Sequence, residues 1–136
     1  RKTADPAVQM KLVNRLSDKI LLNQDKIIKT EGYFIDDAEI GILAYGITAR
    51  ASLKAVKVLR EKGVKAGLLR LKTLWPFPEK VVGELSARVK KLIVPEMNLG
   101  QIVREVERVA ECEVIRFSKV NGEVMTPTEI VQQIRK

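Results

Sequence analysis

The chain contains no histidine and only one cysteine among its 136 residues, and these two scarcities exclude several kinds of chemistry. Without histidine there is no imidazole to act as a base or to bind a metal ion. Cys112 alone cannot form a disulfide within the chain, and it cannot supply the several thiolates of a metal cluster. Because no base lies beside it in the sequence, we interpret Cys112 as a small buried apolar residue.

Long apolar runs are also missing from the sequence. No stretch approaches the roughly 18 residues that a membrane-spanning helix requires, and no secretory signal peptide is recognisable. The sequence therefore predicts a cytoplasmic domain with no membrane partner. At 136 residues with 46% apolar composition, the chain is expected to form one domain with its own core.

The positive charge of the chain is strong, but it is not distributed in the way nucleic-acid binding requires. The formal net charge is +8, and residues 1–30 hold seven Lys or Arg against three Asp. The other basic residues are spread along predicted helices, and an aromatic content of 4% provides no platform for stacking bases. The pattern favours solvated helix faces and a basic contact arm over a nucleic-acid partner.

From residue 39 onward, short apolar runs alternate with helical patterns. Buried strands are predicted over residues 40–45, 64–71, 92–96 and 113–117. This alternation predicts an α/β fold in which a mostly parallel sheet is covered by helices on both faces. Residues 1–38 form a separate N-terminal arm or linker in this interpretation. It contains an amphipathic helix over residues 8–22 and a candidate edge strand over residues 32–35.

The helix boundaries are predicted from residues that start and stop helices. Gly63 ends the first helix, and Pro78 is expected to be the first residue of the second. Asn98, with Gln101 three residues later, predicts a capped helix that begins at position 99. Thr126 and Glu129 form a capping box for the last helix.

The first loop after a predicted strand, residues 46–50, is a weak candidate for an anion site. Gly46 allows a tight turn, and the free N–H groups of the following helix start favour a phosphate or carboxylate held by Thr48 and Arg50. Alternatively, Thr48 only caps the helix and Arg50 is solvated, because one glycine falls short of a phosphate-binding fingerprint. A stand-alone anion- or nucleotide-binding module is accordingly the alternative function.

Two further loops carry side chains of interest at strand ends. Trp75 and Phe77, in a Trp-Pro-Phe-Pro run, either close the core over the sheet or contact another domain. Glu96 is positioned as an acid, a base or a contact residue, and Asn98 and Gln101 are able to bind polar groups. The capping role of Asn98 is the competing interpretation for the last two.

Taken together, these loops resemble the second domain of the alpha subunit of the 2-oxoacid:ferredoxin oxidoreductases. The resemblance rests on residues 45–50, 67–78 and 95–101, and it extends over residues 39–136. It implies a three-layer α/β/α sandwich of the transketolase C-terminal-domain type with one antiparallel edge strand. It also implies a complex that decarboxylates a 2-oxoacid oxidatively and forms acyl-coenzyme A and reduced ferredoxin.

The resemblance further implies where the cofactors and partners lie. Thiamine diphosphate, Mg²⁺ and iron–sulfur clusters belong to the intact complex, and we expect no cofactor, metal or catalytic residue in this chain. Its partners would be the preceding thiamine-binding domain of the same subunit and the beta and other subunits, with ferredoxin and coenzyme A acting on the complex. We expect the isolated domain to be inactive, with Trp75, Phe77, Glu96, Asn98 and Gln101 as interface candidates.

Overall fold

The computed structural model describes residues 28–97, 100–119 and 123–134 of the chain. The helix predicted over residues 8–22 lies outside these ranges, and the division at residue 38 stays a prediction. The described residues form five strands and four helices, which are, in chain order, β1 (Thr30–Tyr33), β2 (Ile40–Tyr45), α1 (Gly46–Glu61), β3 (Ala66–Leu71), α2 (Glu79–Arg88), β4 (Lys91–Glu96), α3 (Gln101–Val109), β5 (Glu113–Ser118) and α4 (Pro127–Ile134).

The strands form one sheet in the order β1-β3-β2-β4-β5. Strands β2 to β5 are parallel to one another, whereas β1 pairs antiparallel with β3 at the edge. The β2–β3 ladder runs the full length of both strands, from Ile40 opposite Ala66 to Tyr45 opposite Leu71. The predicted α/β fold with a mostly parallel sheet is confirmed.

Alternate residues of the central strands bury opposite faces of the sheet, which is why helices cover both sides. Ile42 and Ala44 of β2 pack with the apolar residues of α1 and α4. Leu43, between them, packs on the other face with the apolar residues of α2 and α3. These two clusters of buried apolar side chains produce the three-layer α/β/α arrangement.

Three of the element boundaries that differ from the prediction have a local cause. The edge strand β1 ends at Tyr33, because Phe34 adopts a φ of 57° and turns the chain away from the sheet. Strand β3 begins at Ala66 because Val64 lies in the turn that follows α1, where its N–H donates to the C=O of Leu59. Pro78 precedes α2 and has a non-helical ψ of 69°, so the helix begins one residue later than predicted.

Arg60, near the C-terminal end of α1, ties that helix to the loop between β1 and β2. Its guanidinium donates to the Asp37 carboxylate at 2.7 Å and to the C=O groups of Phe34 and Ala66, each at 2.8 Å. The same group lies 5.4 Å from the centre of the Phe34 ring. This end of the sheet, where β2 and β3 begin, is opposite the candidate site described below. No helix within the described ranges is long and apolar enough to cross a bilayer.

Candidate functional site

The candidate site lies where strands β2 and β4 end side by side. From β2 the chain crosses to β3 on one side, and from β4 it crosses to β5 on the other, so the winding direction reverses between these strands. Their ladder stops at Ile42 opposite Ile93, three residues before each strand ends. In open α/β sheets the crevice at such a reversal is where ligands bind.

A buried carboxylate joins the two strand ends. Glu96, the last residue of β4, is only 1% exposed. Its Oε1 accepts hydrogen bonds from the Tyr45 hydroxyl and the Ile102 N–H, both at 2.9 Å. Its Oε2 accepts one from the Val103 N–H at 3.1 Å. Glu96 therefore connects the end of β2 to the first turn of α3.

This arrangement makes Glu96 the cap of α3. A carboxylate at a helix start binds N–H groups that have no partner within the helix, and it complements the positive end of the helix dipole. Gly100 precedes the helix with a φ of 80°, and a Cβ at this position would lie 3.0 Å from Val103 Cγ1. The tight turn into α3 thus requires glycine at residue 100.

The prediction that α3 begins at position 99 is wrong. The helix begins at Gln101, and Gly100 occupies the N-cap position without a side-chain hydrogen bond. The buried Glu96 carboxylate binds two N–H groups of the first turn, a contact that the sequence did not indicate. Asn98 itself lies outside the described residues. Gln101 is exposed on the first turn, and its role in binding polar groups stays a prediction.

The loop over residues 46–50 is a helix start that no side chain caps. Helix α1 begins directly at Gly46, whose φ is 60°, and it has no acidic residue in its first turn. Thr48 does not cap the helix, because it lies within the first turn and is buried. Ile47 and Arg50 are exposed beside it. Anion binding by Gly46, Thr48 and Arg50 stays a prediction.

The Trp-Pro-Phe-Pro loop separates its two aromatic rings. Phe77 is 3% exposed and packs in the cluster that contains Leu71 and Val82, so it closes the core. Trp75, two residues earlier and next to a cis bond to Pro76, is 81% exposed. The sequence left core closure and domain contact open for both rings. The structure places Phe77 inside and leaves Trp75 on the surface near the carboxyl end of β3.

Candidate ligands for metals are not assembled in the part of the chain that the structure describes. No three His, Cys, Asp or Glu side chains among those residues are grouped to hold a metal ion. Cys112 is half-buried against the cluster on the α2–α3 face, and this burial raises the pKa of its thiol. A raised pKa keeps the thiol protonated near neutral pH, which suits the apolar role predicted for Cys112.

Sequence reasoning did not single out Tyr45 or Gly100 as site residues. Tyr45 ends its strand beside a predicted loop, but its partner Glu96 is 51 residues away, and their contact depends on β4 lying next to β2. The positive φ of Gly100 is a consequence of the same cap. For Gly100, the one local signal in the sequence is a glycine directly before a helical pattern.

Sequence comparison finds a matching family model and similar curated proteins. The model of the family described as pyruvate:ferredoxin oxidoreductase core domain II matches residues 38–130. The 2-oxoglutarate synthase subunit KorA of Methanothermobacter marburgensis is 44% identical over 133 residues, which are 96% of this chain and 36% of that subunit. KorA of Methanocaldococcus jannaschii is 47% identical over 131 residues, 95% of this chain and 35% of that subunit. The chain thus spans about a third of the length of these relatives.

Structural comparison agrees with the sequence comparison. A 2-oxoglutarate:ferredoxin oxidoreductase from Magnetococcus marinus, solved with 2-oxoglutarate, coenzyme A and succinyl-CoA bound, superposes with a TM-score of 0.86 at 26% identity, over 98% of this chain and 24% of that one. A split-gene transketolase superposes with a TM-score of 0.64 at 22% identity, over 77% of this chain and 40% of that one. The transketolase likeness concerns the fold alone, and it confirms the predicted fold type.

Proposed function

The chain belongs to the family of the pyruvate:ferredoxin oxidoreductase core domain II, and on that premise we propose that it is the second domain of the alpha subunit of a 2-oxoacid:ferredoxin oxidoreductase. The whole enzyme would decarboxylate a 2-oxoacid oxidatively, transfer the acyl group to coenzyme A and pass electrons to ferredoxin. The observation that carries the proposal is the family match over residues 38–130. The identity with the KorA subunits supports 2-oxoglutarate as the first substrate to assay.

In this proposal the cofactors are held by other parts of the enzyme. Thiamine diphosphate with Mg²⁺ would supply the decarboxylation, and iron–sulfur clusters would carry the electrons. The described residues bring no three His, Cys, Asp or Glu side chains together as ligands for a metal ion. The whole chain also has one cysteine and no histidine, too few to hold a cluster by itself. In this proposal the domain packs against the cofactor-binding domains and orients them.

The carboxyl edge of the sheet is the surface that would make these contacts. Trp75 and Ile47, two of the large apolar side chains that are most exposed in the described residues, follow the ends of β3 and β2. Tryptophan is enriched among the residues that dominate binding at protein interfaces. Among the predicted interface residues, Trp75 and Gln101 have exposed side chains, whereas Phe77 and Glu96 would act by holding the backbone beneath them.

The experiment is to replace Trp75 with alanine in the complete oxidoreductase. We expect the alpha subunit to lose its association with the other subunits, as measured by native mass spectrometry and by 2-oxoglutarate-dependent reduction of ferredoxin. The free energy of unfolding of the domain should change by less than about 0.5 kcal/mol, because the indole is exposed. A fully assembled and active Trp75→Ala enzyme would contradict the proposed contact.

The matched control is Phe34→Ala, which removes an exposed aromatic ring at the opposite end of the sheet. Phe34 is 49% exposed and contacts Arg60. Because it lies far from the proposed contact surface, its replacement should leave assembly and turnover unchanged.

The domain role has its own test, in which the purified chain is assayed alone with 2-oxoglutarate, coenzyme A and ferredoxin. Turnover by the chain alone would show that the chemistry is not located elsewhere.

A further inference from the structure

A groove runs along the outer surface of α2 and past the end of α3. Gly83 and Ala87 of α2 and Val109 of α3 supply small or apolar lining, and Glu79, Glu84 and Glu111 supply carboxylates, with Lys80 as the basic lining residue. A second depression at the start of α2 shares Glu79, Lys80 and Glu84 with it, and that depression is also lined by Ile28, the first described residue. The depression that adjoins the groove therefore includes the first described residue of the chain.

The two sides of the groove are held together by hydrogen bonds. The Ser86 hydroxyl donates to the C=O of Gly83 at 2.8 Å, and it accepts from the N–H of Glu111 at 2.9 Å. Ser86 itself is 1% exposed. Because a buried side chain links α2 to the segment after α3, the groove is a fixed part of the fold.

Gly83 is unusual because nothing among the residues that the structure describes requires a glycine there. It lies in the interior of α2 and is not among the glycines with positive φ, and a Cβ at this position would come no closer than 3.9 Å to its nearest neighbour, the C=O of Val109. A glycine inside a helix destabilises it relative to alanine. Close approach of another segment to the helix surface is a physical reason to keep one.

The electrostatics of the groove favour a basic occupant. Glu79 is ion-paired with Arg108. The carboxylates of Glu84 and Glu111, in contrast, have no ion-pair partner within the described ranges, and both residues are exposed. A segment that carries positive charge beside apolar side chains would match this lining in both respects.

Residues 8–22 of the same chain have that composition. In a helical arrangement Leu12, Leu16 and Ile20 share one face, and the basic residues Lys11, Arg15 and Lys19 form a parallel stripe beside them. Five residues separate position 22 from Ile28, so the link between the two spans up to roughly 20 Å when extended. Helix α2, with ten residues, is about 15 Å long. The segment is thus able to reach the whole groove.

We propose that residues 8–22 dock as an amphipathic helix in the groove formed by α2 and the end of α3, with Leu12, Leu16 and Ile20 facing Gly83 and the basic stripe facing Glu84 and Glu111. Docking covers the groove and fixes the direction in which the chain arrives at the domain. This inference does not depend on the proposed function, because it uses only the groove and the sequence that precedes it.

The test is hydrogen exchange of the full chain, followed by mass spectrometry of peptides from residues 8–22. We expect their amides to be protected, and we expect the pair Glu84→Lys with Glu111→Lys to speed their exchange about tenfold, the factor that corresponds to losing two favourable charge pairs. Adding Arg15→Glu and Lys19→Glu to that variant should restore protection, because the charges on both sides are then exchanged and attract each other again. Gly83→Gln, a good helix former that fills the groove, should also remove protection.

The matched control is Glu61→Lys, the same change of charge at an exposed site on α1, which should leave exchange of residues 8–22 unchanged. The proposal is overturned if these residues are unprotected in the unmodified chain. It is also overturned if the Glu84→Lys with Glu111→Lys variant or the Gly83→Gln variant retains the original protection. Protection that increases with protein concentration, or that requires another subunit, would identify a different occupant and would likewise overturn it.

Discussion

A glutamate carboxylate takes part in the N-terminal cap of both α3 and α4, but the two caps are built in different ways. At α4 the N–H of Glu129 donates to the Thr126 hydroxyl at 3.2 Å, and the Glu129 carboxylate accepts from the Thr126 N–H at 3.0 Å. At α3 the carboxylate belongs to Glu96, at the end of the preceding strand, and it also binds the hydroxyl of Tyr45. The first cap needs four consecutive residues, whereas the second needs the assembled sheet.

The difference in burial sets the expected energies. Glu96 is 1% exposed, and its removal would take the carboxylate acceptor away from the buried N–H groups of Ile102 and Val103. The cap of α4 lies at the surface, where water replaces a lost hydrogen bond. Leaving a buried polar group unpaired costs more free energy than breaking the same bond in solvent. The α3 cap should therefore dominate the stability of the carboxyl edge.

The largest effect is expected for Glu96→Ala. The substitution takes the buried acceptor away from the N–H groups of Ile102 and Val103 and removes one acceptor of the Tyr45 hydroxyl, so we expect the free energy of unfolding to fall by about 3 kcal/mol. Urea denaturation followed by circular dichroism measures this change. Tyr45→Phe is the control, because it removes one hydrogen bond and should lower the free energy by about 1 kcal/mol. Equal losses for the two variants would contradict the capping role of Glu96.

A smaller effect is expected for Thr126→Ala, which removes the hydroxyl from the cap of α4. The loss should be about 1 kcal/mol, the usual cost of an N-cap side chain. The same denaturation experiment applies. Thr128→Ala, two residues later on the exposed first turn, is the matched control and should change the stability little. A loss from Thr126→Ala as large as that from Glu96→Ala would remove the contrast between the two caps.

The smallest effect is expected for the stability of the domain at acid pH. A hydrogen bond from Lys119, followed in strength by one from the Thr126 N–H, lowers the pKa of Glu129. A carboxyl group whose pKa is lowered by folding stabilises the native state above its unfolded-state pKa, and that stabilisation is lost as the pH falls through the lowered value. Thermal melts across the acid range should show this loss, and Glu129→Gln should flatten the slope. An unchanged slope would mean that the pairing with Lys119 does not contribute.

The sequence predicts features that depend on neighbouring residues better than features that depend on the assembled sheet. The sequence predicts the α4 capping box because Thr126, Pro127 and Glu129 lie within four positions of the chain and form the cap without the rest of the fold. Strand β2 was predicted because a strand buried on both faces is a continuous apolar run. In these places, the interaction that shapes the backbone lies within a few residues.

The α3 cap could not be predicted in that way. Asn98 and Gln101 have the spacing of a local cap, but nothing in that spacing indicates that a buried carboxylate from β4 binds the N–H groups of Ile102 and Val103. The Tyr45–Glu96 hydrogen bond depends on β4 lying next to β2 in the sheet. An apolar run predicts a buried strand, but it does not indicate which strand is its neighbour. Likewise, no local pattern distinguished the exposed ring of Trp75 from the buried ring of Phe77.

The separation of those two rings affects the entropic cost of binding a partner at the carboxyl edge of the sheet. Phe77 fixes the backbone of its loop within the core, and Pro76 and Pro78 restrict the torsion angles on either side of it. A partner that covers Trp75 has to immobilise a single indole side chain, because the loop that carries it is already ordered. Such preorganisation lowers the entropic cost of association, so a small contact area at this edge can support a long-lived complex.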